Sequence, residues 1–359
     1  MKNTLFLNIN NIYMKLKNIL FLASLIIVTV SFAQKIEIGT IHQLYSKVLN
    51  EERTYNVFLP KHYNDKNFPN QKYPIIYLLD GEKYFHVVSG LVKNLSNGYY
   101  PQIPECIVVA IENINRSRDL TPTKVKLPYE NGGGANFELF LQNELIPTIN
   151  KNYRTLDYKI LIGHSFGGLF VINTLLNNSD LFNTYIAIDP SLWWDTSFLV
   201  KNLQKNSLKI SSNQRLFFAN ANSYNLVKTK SKQLLAHYTA KNKFIELATN
   251  NNQNEFKFDV KFYENEDHGS VVLPSLIDGL RSSFKGFKIN VKELIKNPDL
   301  LEKNFANFSN ELGFYFKPQI FYIDAVVDLA AKKKQQKNAE ILHKINLKLY
   351  PENLYLKNK

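Results

Sequence analysis

The sequence predicts an α/β fold, a mostly parallel sheet flanked by helices with a small helical C-terminal appendage. Short continuous apolar runs of strand length alternate with helical patterns through most of the chain. A Gly-His-Ser-Phe-Gly-Gly segment joins one of these runs to an apolar helical stretch. Beyond about Lys288 the strand pattern stops, and the rest is Lys-rich and helical in character. A length of 359 residues suits one large domain with an appendage. A composition of 45% hydrophobic and 21% charged residues excludes a disordered, collagen-like or multi-span membrane protein.

The chain opens on a segment with the marks of export. Lys15 and Lys17 precede an uncharged run from Asn18 to Ala33, which ends Ser31-Phe32-Ala33 before Gln34. A basic region, an apolar core and a small-x-small site are the parts of a cleavable signal peptide. The core, Ile19 to Phe32, is short for a membrane span. Residues 1–33 are therefore read as a signal, with Met14 as an alternative start, and the mature protein is expected in the periplasm or outside the cell with no stable membrane anchor.

Residues 34–288 carry the sheet. Strands are expected at 55–59, 73–79, 105–111, 159–162, 184–188, 215–219 and 258–263. The continuous apolar runs among them are the pattern of strands covered on both faces. Helical patterns lie at 137–150, with Phe137, Phe140, Leu141, Leu145 and Ile149 on one stripe, and at 168–176, which is apolar all round. Cys106, the single cysteine, falls on a strand, so it is read as an inert buried residue and no intramolecular disulfide can form. Residues 289–359 form the tail, in which Ala339 and Pro351 stand as in the second helix of a tetratricopeptide unit. One degenerate unit is expected to pack on the body, with a protein-docking surface as the alternative.

The net charge of +13 is scattered along a Lys- and Asn-rich chain rather than blocked, so nucleic acid is not an expected partner. Gly132-Gly-Gly134 lacks both the Lys-Ser/Thr of a phosphate loop and the dinucleotide-binding spacing. It is expected either to move with an active-site loop or to serve as a linker. No metal or organic cofactor is implied.

Gly163-His164-Ser165-Phe166-Gly167 follows an apolar strand and opens an apolar helix, the context in which G-x-S-x-G makes a nucleophile elbow. A sharp turn lifts the Ser165 hydroxyl above the sheet, and the Phe166 amide at a helix start can donate to an oxyanion. Of the seven histidines, His268 alone sits in a loop after a late strand, where the base is expected.

Several stretches then resemble one family in order: Ser46-Lys-Val-Leu-Asn-Glu-Glu-Arg53, Tyr73-Pro-Ile-Ile-Tyr-Leu-Leu-Asp-Gly-Glu82, Asn115-Arg-Ser-Arg-Asp-Leu-Thr-Pro-Thr123, the elbow, Asp189-Pro-Ser-Leu-Trp-Trp-Asp195 and Glu266-Asp-His-Gly-Ser270. From about Glu37 to Phe284 the chain resembles the Putative esterase family of α/β hydrolases, which includes esterase D relatives and siderophore (enterochelin-type) esterases. The resemblance implies an α/β-hydrolase fold, a small-molecule carboxylic ester as substrate, Ser165 as nucleophile and His268 as base. It also implies an oxyanion hole from the Phe166 amide and that of Gly81 or Glu82.

The acid is left open. The 215–219 strand is followed by Asn220-Ala-Asn-Ser-Tyr-Asn225, with no carboxylate. Asp189 and Asp195, after the preceding strand, are the candidates, and a Ser–His dyad is the third arrangement. Trp193 and Trp194 are candidate walls of an acyl pocket, or else anchors of their loop; Arg116 and Arg118 are candidate contacts for an anionic ligand, a siderophore or other catechol ester among them, or else Arg118 pairs with Asp119 to pin its loop. A polysaccharide acetyl or feruloyl esterase, an acyltransferase, and a non-catalytic binding protein on the same scaffold are the other readings.

Overall fold

The structure, a computed structural model, describes residues 13–21, 36–205, 210–250 and 256–359. The chain divides into two units, Met1–Ile38 and Gly39–Lys359. In the first, residues 13–21 are helical. The expected cleavage site at Ser31-Phe32-Ala33 lies outside the described residues. Among the described residues no helix is long and apolar enough to cross a membrane.

The second unit is built on eight strands: β1 (Thr40–Ser46), β2 (Glu51–Phe58), β3 (Tyr73–Leu78), β4 (Ile107–Ile111), β5 (Thr155–His164), β6 (Thr184–Ile188), β7 (Arg215–Ala221) and β8 (Lys257–Tyr263). They lie in the order β1-β2-β4-β3-β5-β6-β7-β8. β2 runs antiparallel to β1 and β4, and β3 to β8 are mutually parallel. β3, β4, β6 and β7 are buried at every residue, which is why each carries a continuous apolar stretch, although β7 also buries Arg215 and Asn220. β1 escaped the sequence reading because it is an edge strand with most residues exposed and shows no buried run.

Eight helices frame the site and the tail: α1 (Gly81–Leu95), α2 (Phe166–Asn177), α3 (Trp194–Lys205), α4 (Lys232–Asn250), α5 (Val272–Ser283), α6 (Leu300–Leu312), α7 (Ile320–Lys332) and α8 (Gln336–Leu349). α2 is buried from Gly167 to Leu175, as its all-round apolar sequence requires.

Residues 39–359 form one compact unit, within which the strands give way to helices beyond Lys288. The tail reaches the starts of the parallel strands. The Gln319 amide accepts from Glu105 N (2.8 Å) and donates to Glu105 O (3.1 Å), while Ile320 N and Tyr350 Oη both donate to Gln71 Oε1. The ring of Tyr158, on β5, meets Phe284, Phe314 and Phe316. Ala339, Leu342 and Ile345 face inward from α8, and Asn346 donates to Ile320 O.

Gln319 is 2% exposed, so a side chain unable to bond would strand a buried N–H and a buried C=O of Glu105. Gln319→Leu is expected to lower the unfolding free energy by on the order of 3 kcal/mol. Urea unfolding of the two proteins measures this; equal midpoints would contradict the account.

Candidate active site

The parallel register sets the site. His164 pairs with Ile188 across β5 and β6, so the next residues, Ser165 and Asp189, leave the sheet side by side. Ser165 N donates to Ile188 O (3.0 Å) and Asp189 N to Ala219 O (2.9 Å). Both turns are tight: Ser165 has φ 61° and ψ −115°, and Asp189 has φ 41°. A Cβ on Gly163 would lie 2.4 Å from the Gly167 carbonyl, so only glycine lets strand and helix close around Ser165. The loop after β8 is pinned to the end of β7, where Asn222 donates to the carbonyls of Glu264 and Glu266. That loop delivers His268.

The three side chains meet in a chain of hydrogen bonds. Ser165 Oγ lies 3.0 Å from His268 Nε2, and His268 Nδ1 lies 2.6 Å from Asp189 Oδ2. Asp189 is fully buried and His268 is partly exposed. Asp195 does not join this chain. It begins the left-handed stretch Asp195–Ser197 inside α3, beyond the two tryptophans.

Two further groups reach Asp189, and the sequence reading missed both. His237 Nε2 lies 2.9 Å from Oδ2, and Lys241 Nζ donates to Oδ1, which also accepts from Ala221 N. They stand four apart on α4, on the stripe that buries Ala240, Phe244 and Ala248. A histidine and a lysine on an otherwise core-facing stripe were the available signal. Ser191 was also missed. It is buried, its Oγ lies 3.2 Å from Ser165 Oγ, and its amide donates to Ser165 O.

Burial pushes the Asp189 carboxyl up, but hydrogen bonds from His237 and His268 and the charge of Lys241 outweigh it and hold the group well below the usual carboxylate range. Burial pushes the His237 imidazole and the Lys241 ammonium down. His164, under the His268 loop, is pushed down to about 4, first by burial and then by the charge of His268. Its contacts fit a neutral ring, with Nε2–H donating to His268 O (2.8 Å) and Nδ1 accepting from Tyr84 Oη (3.2 Å). Asp189, His237 and His268 offer ligand atoms within 4.8 Å of one another, the spacing of a metal site. The Lys241 ammonium already sets a positive charge on that carboxylate.

The Phe166 amide opens α2 and the Gly81 and Glu82 amides open α1, so none has an intrahelical acceptor. A methyl on Gly167 would sit 3.4 Å from Asp80 Oδ2, so the two helix starts lie together. Asp80, at φ 55°, is held by Arg116 at 2.6 and 2.9 Å, and Arg116 also donates to His164 O. The Glu82 carboxylate accepts from Asn113.

A cleft of about 450 Å³ opens over Ser165 and His268, with Arg116, Phe166, Trp193 and His237 among its walls. Trp193 is at this surface. Trp194 is 1% exposed and donates through Nε1 to Thr123, so it anchors the loop and does not wall the cleft. Arg118 takes the loop-pinning alternative and does not face the cleft. It is turned into a network, bonded twice to Glu51 and once to Asp119, while Arg53 holds the same two carboxylates. Arg116, not Arg118, is the arginine at the cleft. The glycine run is tied to the same loop, with Gly133 N on Arg118 O and Gly134 N on Thr121 O.

The depressed His164 group makes a pH-dependent contribution. Its ordinary value is 6.5, and it falls to about 4 in the folded protein. Above pH 6.5 neither state binds the proton and nothing is lost; between 6.5 and about 4 only the unfolded state does, so stability falls as pH drops. The full loss is about 3 kcal/mol. His237 acts in the same direction, and the Asp189 contribution is lost only below the ordinary carboxylate value of 3.8. His164→Gln should therefore lose less stability than the wild type between pH 7.5 and 4.5 in urea unfolding. Parallel losses would contradict the assignment.

The chain matches the family described as Putative esterase over residues 46–270, more than half its length. It is 37% identical over 174 residues to the ferri-bacillibactin esterase BesA of Bacillus subtilis, covering 42% of this chain and 58% of that protein. It is 30% identical over 154 residues to the siderophore triacetylfusarinine C esterase of Aspergillus fumigatus, covering 38% of this chain and 50% of that protein. The matches therefore span about half the length of these curated relatives. Among solved structures, the IroE-like serine hydrolase of Shewanella oneidensis superposes with a TM-score of 0.76 at 30% identity, over 87% of this chain and 99% of that one. With its sheet order, its strained serine turn and this match, the chain belongs to the Putative esterase family of α/β hydrolases.

Proposed function

We propose that the protein is an exported serine esterase acting on siderophore-type carboxylic esters. The observation that carries the catalytic part is the hydrogen-bond chain Ser165–His268–Asp189 at the floor of the cleft. As Ser165 Oγ attacks the ester carbonyl, His268 Nε2 takes its proton. The oxyanion accepts from the Phe166 amide and from that of Gly81 or Glu82. The tetrahedral species collapses, the carbonyl–alkoxide bond breaks, and His268 returns the proton to the leaving alcohol. Water then gives a proton to His268 and attacks the acyl-serine; the carbonyl–Oγ bond breaks, His268 returns that proton to Ser165 Oγ, and the acid is released. Asp189 accepts from His268 Nδ1–H throughout, which fixes the tautomer and stabilises the imidazolium. A non-catalytic scaffold would have no need of a buried carboxylate on the histidine, nor of a strained serine turn.

The substrate class is supported by the activities for which the relatives are named and by the cleft itself. Trp193 and Phe166 offer aromatic surface, and the Arg116 guanidinium, paired with Asp80, lines the wall as a hydrogen-bond donor. A catecholate ester is flat, aromatic and anionic, and it fits that combination. Export is supported by the basic, apolar and small-x-small succession of residues 15–33.

Hydrolysis of p-nitrophenyl acetate and of a catechol trilactone by protein beginning at Gln34 tests the proposal. Ser165→Ala and His268→Ala are expected to lower kcat by about 10³-fold or more, and Asp189→Asn by about 10²–10⁴-fold. Full activity in Ser165→Ala would sink the mechanism. Activity on the acetate with none on the trilactone would sink the substrate class alone. For export, fractionation of cells expressing the full chain should yield a product starting at Gln34 outside the cytoplasm.

A further inference from the structure

The proposed catalytic cycle uses one bond to Asp189, yet the carboxylate has four donors. Oδ2 accepts from His268 (2.6 Å) and His237 (2.9 Å), and Oδ1 accepts from Ala221 N (3.0 Å) and Lys241. Lys241 and Asp189 are 1% and 0% exposed, so this is a full charge pair inside the protein. Stability does not account for such a pair, because well-packed apolar groups in its place are often neutral or stabilising. The ammonium has one further partner, Ala221 O at 3.1 Å, on the strand that follows Asp189 in the sheet. It is thus fixed to the frame and aimed at one oxygen.

We infer that Lys241 is a positioning residue for the acid of the triad: it fixes which oxygen faces His268 and keeps the carboxylate ionised in a site closed to solvent. The inference rests on the esterase reading and deepens it. A carboxyl with no exposed surface would otherwise tend to take up a proton. Protonated, it could offer His268 a donor in place of an acceptor, favouring the wrong tautomer. His237 serves the same carboxylate from the same helix, four residues earlier. Burial pushes its imidazole down, towards the neutral ring in which Nε2–H donates to Asp189, and its buried Nδ1 has no hydrogen-bond partner among the described residues. The fixed positive charge on Asp189 therefore comes from Lys241. His164, neutral and 4.6 Å from the His268 ring centroid, adds none.

The ion pair predicts a reversal of sign that packing alone does not. With Asp189 present, Lys241 assists the base. With Asp189→Asn, the same ammonium becomes an uncompensated buried charge near the developing imidazolium and opposes it. The test measures kcat and KM on p-nitrophenyl acetate, with active sites counted by fluorophosphonate labelling so that misfolded molecules drop out. Lys241→Met should lower kcat by about 10-fold or more with KM within about twofold. Asp189→Asn/Lys241→Met should turn over about 10-fold faster than Asp189→Asn. A Lys241→Met kcat within twofold of wild type would overturn the inference, as would a double variant no faster than Asp189→Asn. Should Lys241→Met fail to fold, the second comparison, in which neither member buries an unpaired carboxylate, decides alone. A wild type that neither hydrolyses the ester nor labels at Ser165 would instead overturn the esterase reading, and the inference with it.

Discussion

The burial of Asp189 organises this end of the molecule. A carboxylate with no exposed surface is tolerated only if every lone pair is used, and here the donors come from four places: the backbone at the end of β7, two successive turns of α4, and the loop after β8. Each element is thereby tied to the end of β6. Removing the carboxylate would take away the one acceptor shared by α4, the end of β7 and the His268 loop.

The strain around it follows a common pattern. Asp80, Ser165 and Asp189 all take positive φ, and all lie just past the C-terminal ends of parallel strands. Such turns cost on the order of 1–3 kcal/mol each and persist where the surroundings over-determine them. The sheet supplies that constraint. β3, β5 and β6 are neighbours, and the chain must reverse at once to enter α1, α2 or the Trp193 loop. Arg116 ties two of these turns together by gripping the Asp80 carboxylate and the His164 carbonyl in one side chain.

How much of this can be read from the sequence depends on range. Central strands announce themselves because both faces are buried, and the Ser165 turn does so because its glycines are demanded by a local collision. His268 stands out by its place after the last strand. The choice between Asp189 and Asp195 is not local. Both follow β6, and only the fold shows that Asp189 meets His268 while Asp195 lies in the left-handed stretch that opens α3. Arg118 misleads for a similar reason. Its ion partner Glu51 lies on β2, and nothing near residue 118 in the chain reveals that β2 passes beside it. His237 and Lys241 read as ordinary helix residues unless one asks why a core-facing stripe holds two bases.

The tail contacts Gln71 and Glu105, just before β3 and β4, and Tyr158, in the first half of β5, whereas the cleft opens where β5 and β6 end. The two ends of the parallel sheet are thus divided between structure and chemistry. A surface, a carrier or a fluorescent reporter attached to an exposed residue of the tail would be anchored at the end away from the cleft and would leave the mouth over Ser165 open to solvent.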